Sequence, residues 1–369
     1  MSKKKKIAVF TTPQGHLSIA EAVTQKIEQL AGDEFEVVQF FSNSVLMKEY
    51  GMIYKFAPSV FSVPYTLSKM QKVTDVFSSL SHRKFAGDIE AFIEKEKPDL
   101  CINTNFVYNS SLEKICKQKA LPLLNVLANP GVSHPAEIAL KADYNLVIND
   151  ETRFDLEEKY PEATFYTTGW FVRPRFEADY SPTAMRKKYN ISSDTFHVLI
   201  ASGSEGTSAI TKILPSLLRV NEAAVITVAC GKSKLLSEQV SILSKFIKKI
   251  SPDIEVRVLG FTKKIHEHMQ AADIVVGKAG PNMLFESIAT KTPFFAITHV
   301  AGQEDINLEI IQNQKLGFVE ESLIGASKLL ESIITDPSLL DPFEKSVAAV
   351  ADDNKKSGQR LLTVVRKLI

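Results

Sequence analysis

Short runs of β-branched and apolar residues alternate with helix-like segments along the chain. Ten such runs fall into two series of five, at 7–10, 35–40, 99–103, 123–127 and 144–148, then at 197–202, 223–230, 254–260, 273–277 and 293–298. The stretch from His16 to Leu30 has helical periodicity. Apolar strands joined by helices are typical of parallel sheets that are covered on both faces. The pattern therefore predicts two α/β domains with doubly wound sheets.

The stretch between the two series, Trp170–Tyr189, contains two prolines, many charges and little periodicity. We interpret residues 171–190 as the interdomain linker. This predicts a first domain over 1–170, a second over 191–350, and a C-terminal helix within 351–369 that packs back on the first domain. Ligands bind at the carboxyl ends of parallel strands, so we expect a site in the cleft between the domains.

Composition narrows the class of protein. The 369 residues suit two domains. The 44 Lys and Arg residues nearly balance the 43 Asp and Glu residues, so the chain has no large positive net charge that would attract nucleic acid. Cys101, Cys116 and Cys230 show no metal or disulfide spacing, which suits a reducing cytoplasm. The sequence has no run of about 18 apolar residues, so a transmembrane helix is not expected. Lys3–Lys6 is either a solvated end or weakly attracted to an anionic membrane.

One segment does not fit the alternation. Residues 45–61, VLMKEYGMIYKFAPSVF, are dense in aromatic residues and methionine, with a spacing that suits neither a clean helix nor a strand. It is either an irregular excursion packed on the core or a partly exposed segment that meets lipid.

Two loops rich in small residues follow predicted strands, Thr11–His16 and Ser202–Thr207. Each is either a plain turn or a place where a helix N-terminus meets an anion. Neither matches G-x-G-x-x-G, and the chain has no P-loop, so dinucleotide and ATP-type loops are not indicated. At a helix start the dipole disfavours the imidazolium, so His16 could serve as a general base. A purely local role is the alternative.

In the second domain, GKAGP at 277–281 ends a strand and opens a helix. Pro281 suits a first helical position, and Gly280 lets the backbone approach a ligand. Glu286 interrupts an apolar face and is either a ligand for the vicinal hydroxyls of a ribose or a solvated glutamate. Residues 301–307, AGQEDIN, place amide and carboxylate groups on a glycine turn. These amide and carboxylate groups either bind the hydroxyls of a sugar or form a polar turn that caps the next helix.

The stretch from Gly277 to Asn307 resembles the donor-site region of the monogalactosyldiacylglycerol synthase and processive diacylglycerol glucosyltransferase family. The peptidoglycan N-acetylglucosaminyltransferase is a more distant relative. Further similarity lies in TGWFVRPRF, VLIASGSEG, GFTKKIHEHMQAAD and the segment HPAEIALKADYNLVINDE from His134. The resemblance implies the GT-B fold, in which two Rossmann-like doubly wound domains face each other across a cleft.

The resemblance also implies roles for individual residues. His16 matches a proposed catalytic base, and Asn129 stands where many members have a catalytic-site Asp, although an amide cannot take a proton. The first loop has fewer glycines than in the family, and Gly231-Lys232-Ser233 replaces Gly-Arg-Asn. Donor-binding positions are Gly203, Gly206, Phe261, Gly280, Pro281, Glu286, Gly302, Gln303, Glu304 and Asn307. Acceptor or membrane positions are Gly15, Tyr50, Tyr54, Phe56, Phe61 and His134.

The function implied is a UDP-sugar-dependent hexosyltransferase that glycosylates a membrane lipid, diacylglycerol, without a metal ion or cofactor. UDP-glucose and UDP-galactose both suit Gln303 and Glu304. We expect a cytoplasmic protein that is peripheral on the inner face of the cell membrane and in contact with its anionic surface. The alternatives are a glycosyltransferase for lipid-linked cell-wall precursors, a UDP-sugar epimerase, and a non-catalytic nucleotide-sugar-binding protein.

Overall fold

Two six-stranded parallel sheets flanked by helices make up the described part of the chain. The computed structural model describes residues 3–12, 15–41, 71–132, 134–201, 213–220 and 222–369. One compact unit comprises Met1–Pro174, Ala301–Ile306 and Asp353–Ile369, and the other comprises Arg175–Val300 and Asn307–Asp352. The predicted α/β class with two doubly wound sheets is confirmed.

The sheet of the first unit has the strand order β2-β1-β3-β4-β5-β6. The chain first adds β2 on one side of β1 and then adds β3 on the other, so the switch point lies between β1 and β3. The elements in chain order are β1 Lys5–Thr11, α1 Gly15–Ala31, β2 Phe35–Phe41, α2 Gln71–Glu96, β3 Leu100–Asn103, α3 Asn109–Lys119, β4 Leu123–Val126, β5 Tyr144–Val147, α4 Asp150–Lys159 and β6 Phe165–Thr167.

The second unit repeats this plan with the order β12-β11-β10-β7-β8-β9 and a switch point between β7 and β10. Its elements are α5 Pro174–Glu177, which begins at the unit boundary, α6 Pro182–Lys188, β7 Phe196–Ala201, β8 Ala224–Gly231, α7 Lys234–Ile250, β9 Ile254–Gly260, α8 Ile265–Ala271, β10 Ile274–Lys278, α9 Pro281–Ala289, β11 Phe294–Thr298, α10 Asp305–Asn313, β12 Gly317–Val319 and α11 Leu323–Thr335.

Glycine is required at the second switch point. A Cβ added at Gly277 of β10 would lie 1.9 Å from the carbonyl oxygen of Ala201 on β7. Only a residue without a side chain lets the two strands pair here, so Gly277 brings the carboxyl ends of β7 and β10 together.

Each sheet has its own core. In the first unit the rings of Phe10 and Phe40 are tilted against each other with 5.4 Å between centroids, and Tyr108 meets Phe85 edge-on at 5.2 Å. In the second unit Val198, Ile226 and Val276, on three neighbouring strands, are fully buried in one cluster. Buried strand residues such as Val198, Ile226 and Val276 produce the apolar runs visible in the sequence.

The C-terminal helices α12 Asp341–Asn354 and α13 Ser357–Leu368 complete the chain. Helix α13 packs against α1, and Arg366 forms an ion pair with Glu34. The side-chain oxygen of Asn354 accepts a hydrogen bond of 2.8 Å from the backbone N–H of Trp170. The end of the chain is thereby part of the first unit.

The segment 171–190, interpreted from the sequence as the linker, contains helices α5 and α6. From Arg175 onward it groups with the second unit. Lys188 forms an ion pair of 2.7 Å with Glu267 on α8, and Tyr189 donates a hydrogen bond to the same carboxylate. The prolines and charges at 174–190 therefore belong to short anchored helices.

Strands β6 and β12 are absent from the predicted set. Each has three residues and forms the outer edge of its sheet. An edge strand of this length is only partly buried, so it leaves too short an apolar run to stand out from a loop.

Candidate active site

His16 lies at the switch point of the first sheet. It is the second residue of α1, and its Nδ1 lies 2.8 Å from the carbonyl oxygen of Thr104, which directly follows β3. Thr104 is held in turn by its backbone N–H, 3.0 Å from the carbonyl oxygen of Phe10 on β1. The imidazole thus lies at the carboxyl ends of β1 and β3, the two strands between which the strand order reverses.

This contact selects one tautomer of His16. A carbonyl oxygen only accepts hydrogen bonds, so Nδ1 must donate, and the neutral ring keeps the lone pair on Nε2. Burial lowers the pKa of His16 below its ordinary value, and the hydrogen bond to Thr104 opposes this effect. The ring is therefore neutral at pH 7, with a basic nitrogen available.

Asn129 follows β4 in the first unit and is buried. Two residues later, a Cβ added at Gly131 would lie 2.8 Å from Cγ1 of Ile306. Ile306 ends the segment Ala301–Ile306, which groups with the first unit. The loop after β4 and the predicted sugar-binding turn are thus neighbours.

His134 is buried and caps the short 3₁₀-helix Pro135–Glu137. Its Nδ1 accepts a hydrogen bond of 3.1 Å from the backbone N–H of Ala136, so the neutral ring carries its proton on Nε2. The ring stacks on Phe106 with 6.2 Å between centroids. His16 and His134 therefore have opposite tautomers, because Nε2 carries the lone pair in His16 and the proton in His134.

A ladder of buried asparagines supports these loops, and the sequence reasoning missed it. Asn103, Asn125 and Asn145 occupy paired positions on β3, β4 and β5. Asn125 donates to the side-chain oxygen of Asn145 at 2.8 Å and to the carbonyl oxygen of Glu137 at 2.8 Å. Because buried amides need partners, the ladder fixes the turn that carries His134. The available signal was one asparagine in each of three consecutive apolar runs.

In the second unit, the N-terminus of α9 lies at the switch point. Gly280 is its N-cap and offers no side chain, and Pro281 is the first helical residue. The first turn of a helix leaves its backbone N–H groups without intrahelical acceptors. Such a helix start attracts the oxygens of a phosphate.

Glu286 and Asn307 flank this helix start. Glu286 lies one turn further along α9 and is only 8% exposed, so the interpretation as a solvated glutamate is wrong. Asn307 on α10 is 1% exposed, and its Nδ2 donates a hydrogen bond of 2.7 Å to the carbonyl oxygen of Ala279. Asn307 thereby holds the loop between β10 and α9 in place.

Phe261 follows β9 and is 54% exposed. The Nζ of Lys232, just after β8, lies 5.1 Å from its ring centroid. An exposed ring with a cation on it can stack on a planar base.

The turn between β11 and α10 contains the residues predicted to hold the donor sugar. The backbone N–H of Gly302 donates to Oδ1 of Asp305 at 2.7 Å. Glu304 is buried and Gln303 is half-buried. This bond lies within the turn and does not reach an N–H group of α10, so the predicted alternative of a polar turn that caps the helix stays a prediction.

Six predicted site residues lie outside the described residues: Gly203, Gly206, Tyr50, Tyr54, Phe56 and Phe61. Gly15 begins α1, next to His16. Among the residues that the structure describes, no group of three or more His, Cys, Asp or Glu side chains is placed to hold a metal ion. None of the described helices is long and apolar enough to cross a membrane.

Comparison with known families separates the two halves of the chain. Residues 16–172 match the monogalactosyldiacylglycerol (MGDG) synthase family, and residues 197–320 match the glycosyltransferase family 28 C-terminal domain. The chain is a glycosyltransferase related to the MGDG synthases. The resemblance seen in the sequence is confirmed.

Full-length relatives agree with this assignment. The glycosyltransferase is 23% identical to the processive diacylglycerol beta-glucosyltransferase of Bacillus licheniformis, covering 98% of this chain and 95% of the relative. It is 24% identical to a probable chloroplastic monogalactosyldiacylglycerol synthase of Glycine max, covering 89% of this chain and 64% of the relative.

Solved structures share its fold. The crystal structure of MurG from Acinetobacter baumannii matches with a TM-score of 0.66 at 13% identity, covering 99% of this glycosyltransferase and all of MurG. UGT71G1 of Medicago truncatula, solved with UDP-glucose, also matches with a TM-score of 0.66 at 12% identity, covering 99% and 98% of the two chains. The predicted GT-B fold is confirmed.

Proposed function

We propose that this glycosyltransferase moves glucose or galactose from a UDP-sugar to diacylglycerol, at the inner face of the cell membrane. The observation that supports it best is that each sheet presents the expected group at its own switch point. The first sheet presents a neutral histidine with a basic nitrogen, and the second presents a helix start whose N-cap, Gly280, has no side chain. The names of the full-length relatives support diacylglycerol as the acceptor.

The reaction assigns a task to each group. Nε2 of His16 takes the proton of the acceptor hydroxyl, and the hydroxyl oxygen forms a bond to the anomeric carbon. The bond from that carbon to the diphosphate oxygen breaks, and UDP leaves with the electron pair. The N–H groups at the start of α9 stabilise the diphosphate charge. No metal ion or cofactor is needed in this scheme.

The remaining donor contacts follow from burial and position. The carboxylate of Glu286 accepts hydrogen bonds from the two ribose hydroxyls, and Phe261 stacks on the uracil. Gln303 and Glu304 bind hydroxyls of the hexose. The ladder of Asn103, Asn125 and Asn145 holds the turn that carries His134 beside the acceptor. Residues 45–61, outside the described residues, meet the membrane.

The test is a panel of UDP-sugars and acceptors, with UDP release and lipid products followed by thin-layer chromatography. We expect release only when a UDP-hexose and diacylglycerol are both present, with the same rate in EDTA. Release without an acceptor, transfer only to a cell-wall lipid precursor, or conversion of free UDP-sugar to its epimer would contradict the proposal.

Replacing Glu286 with Ala should weaken UDP binding about ten- to a hundredfold, because hydrogen bonds to a charged group are worth about 1.5–3 kcal/mol. Isothermal titration with UDP and with 2′,3′-dideoxy-UDP separates the ribose contact from other effects. The wild type should prefer UDP, and Glu286→Ala should bind both nucleotides equally.

The matched control is Glu309→Ala, which removes an exposed carboxylate on the neighbouring helix α10. Its UDP affinity should stay at the wild-type value. The ribose assignment is wrong if Glu286→Ala remains folded and still prefers UDP over the dideoxy nucleotide.

A further inference from the structure

Helix α7 of the second unit has two apolar faces. Leu236, Val240 and Ile247 point into the core of the unit and are buried. Leu235, Ile242, Phe246 and Ile250 are each between 51% and 69% exposed. Their spacing of seven, four and four residues places them on one stripe along the helix. The packing of α7 on its sheet therefore leaves a second apolar stripe open to water.

The charges on α7 are predominantly positive. The helix contains Lys234, Lys245, Lys248 and Lys249, and Glu238 is its only acidic residue. By helical geometry Lys245 and Lys249 lie on the side of the stripe away from the core. Long lysine side chains at such an edge keep their ammonium groups in water while their stems lie along an apolar surface.

Helix α7 packs on the edge strand β9, which also exposes an apolar side chain. Val258 on the edge strand β9 is 38% exposed. It lies on the same face of the sheet as Val256, which packs against the core cluster under α7. The acidic Glu255 on that strand is neutralised by an ion pair of 2.8 Å with Arg257.

We propose that this stripe, Leu235, Ile242, Phe246 and Ile250 with its flanking lysines, docks the second unit on an anionic lipid bilayer. A helix with an exposed apolar stripe and a lysine-rich border is the form that lies in a membrane interface rather than crossing it. Anionic lipid head groups complement the lysines. A second copy of the chain would complement them poorly, because a two-fold contact brings the same lysine-rich helix from both sides and adds no excess of negative charge.

The proposal deepens the proposed function, and only its purpose rests on that function. An enzyme whose acceptor stays in the bilayer gains from a membrane contact in the unit that holds the donor. Docking itself needs neither donor nor acceptor, so vesicle binding measured without them can fail or succeed independently of sugar transfer.

The first experiment is sedimentation with vesicles of phosphatidylglycerol and phosphatidylcholine, compared with phosphatidylcholine alone. We expect the double variant Ile242→Ser with Phe246→Ser to lower the partition coefficient at least about tenfold. Lys245→Glu with Lys249→Glu should lower binding to the anionic vesicles about tenfold and weaken its dependence on salt concentration. The matched control is Phe154→Ser, which removes a 59% exposed ring from α4 of the first unit.

The second experiment locates the contact. The three native cysteines are buried, so an environment-sensitive fluorophore can be attached at Ile242→Cys, and at Phe154→Cys as the control. On vesicle addition the emission at 242 should shift to the blue and that at 154 should not. A bound protein with 242 still in water overturns the proposal, as does binding unchanged in the Ser variants. A wild-type dimer that the Ser variants dissociate would assign the stripe to a second copy instead.

Discussion

Replacing His16 with Ala should lower the rate of sugar transfer by about 100- to 10,000-fold, the usual contribution of a positioned general base. The affinity for UDP should change by less than about twofold, because the proposed base acts on the acceptor rather than on the nucleotide. Single-turnover transfer to diacylglycerol and UDP titration measure the two quantities.

The variant His16→Asn separates catalysis from positioning. The asparagine amide can still donate to the carbonyl of Thr104, as Nδ1 of the histidine does, but it has no basic nitrogen. If His16 is the base, Asn should be as slow as Ala. Recovery of wild-type activity in His16→Asn would show that the side chain only holds the loop after β3.

The pH dependence of transfer gives an independent check. A base works only when unprotonated, and burial lowers the pKa of His16 below its ordinary 6.5. Transfer should therefore stay constant as the pH falls through 6.5 and decline only at lower pH. This acidic limb should disappear in His16→Ala. A limb that persists in the variant belongs to another group.

The strands could be predicted because a strand buried on both faces of a parallel sheet requires a continuous run of apolar residues, which is visible in the sequence. All four residues of β3 and all four of β4 are buried, which the apolar runs around them indicate. The same reasoning failed at β6 and β12, where an edge position removes half of that burial. The order of the strands within each sheet does not follow from apolar runs at all.

The site could be predicted only in part, for the same physical reason. The position of His16 after β1 pointed to a base, but its tautomer depends on Thr104, 88 residues further along the chain. In the sequence alone, Asn125 is only a polar residue within an apolar run. Its role appears only when the register pairs it with Asn103 and Asn145.

Acidification from pH 7 to pH 4 should destabilise the second unit by about 3–6 kcal/mol, because two buried histidines there resist protonation. His197 is fully buried; its Nδ1 donates to the carbonyl of Ala271 at 2.9 Å, and its Nε2 lies 2.9 Å from the hydroxyl of Thr227. Burial lowers the pKa of His197 to about 4 and the pKa of His268 to about 4.

The sign follows from proton uptake. Above pH 6.5 these histidines are neutral in the folded and the unfolded chain, so they leave stability independent of pH. Between 6.5 and about 4 the unfolded chain binds protons that the folded chain does not, so stability falls as the pH falls. Urea unfolding followed by hydrogen exchange should show the loss in peptides from β7 and α8. The double variant His197→Gln with His268→Gln should flatten this dependence, and an unchanged slope would assign the acid sensitivity to carboxylates.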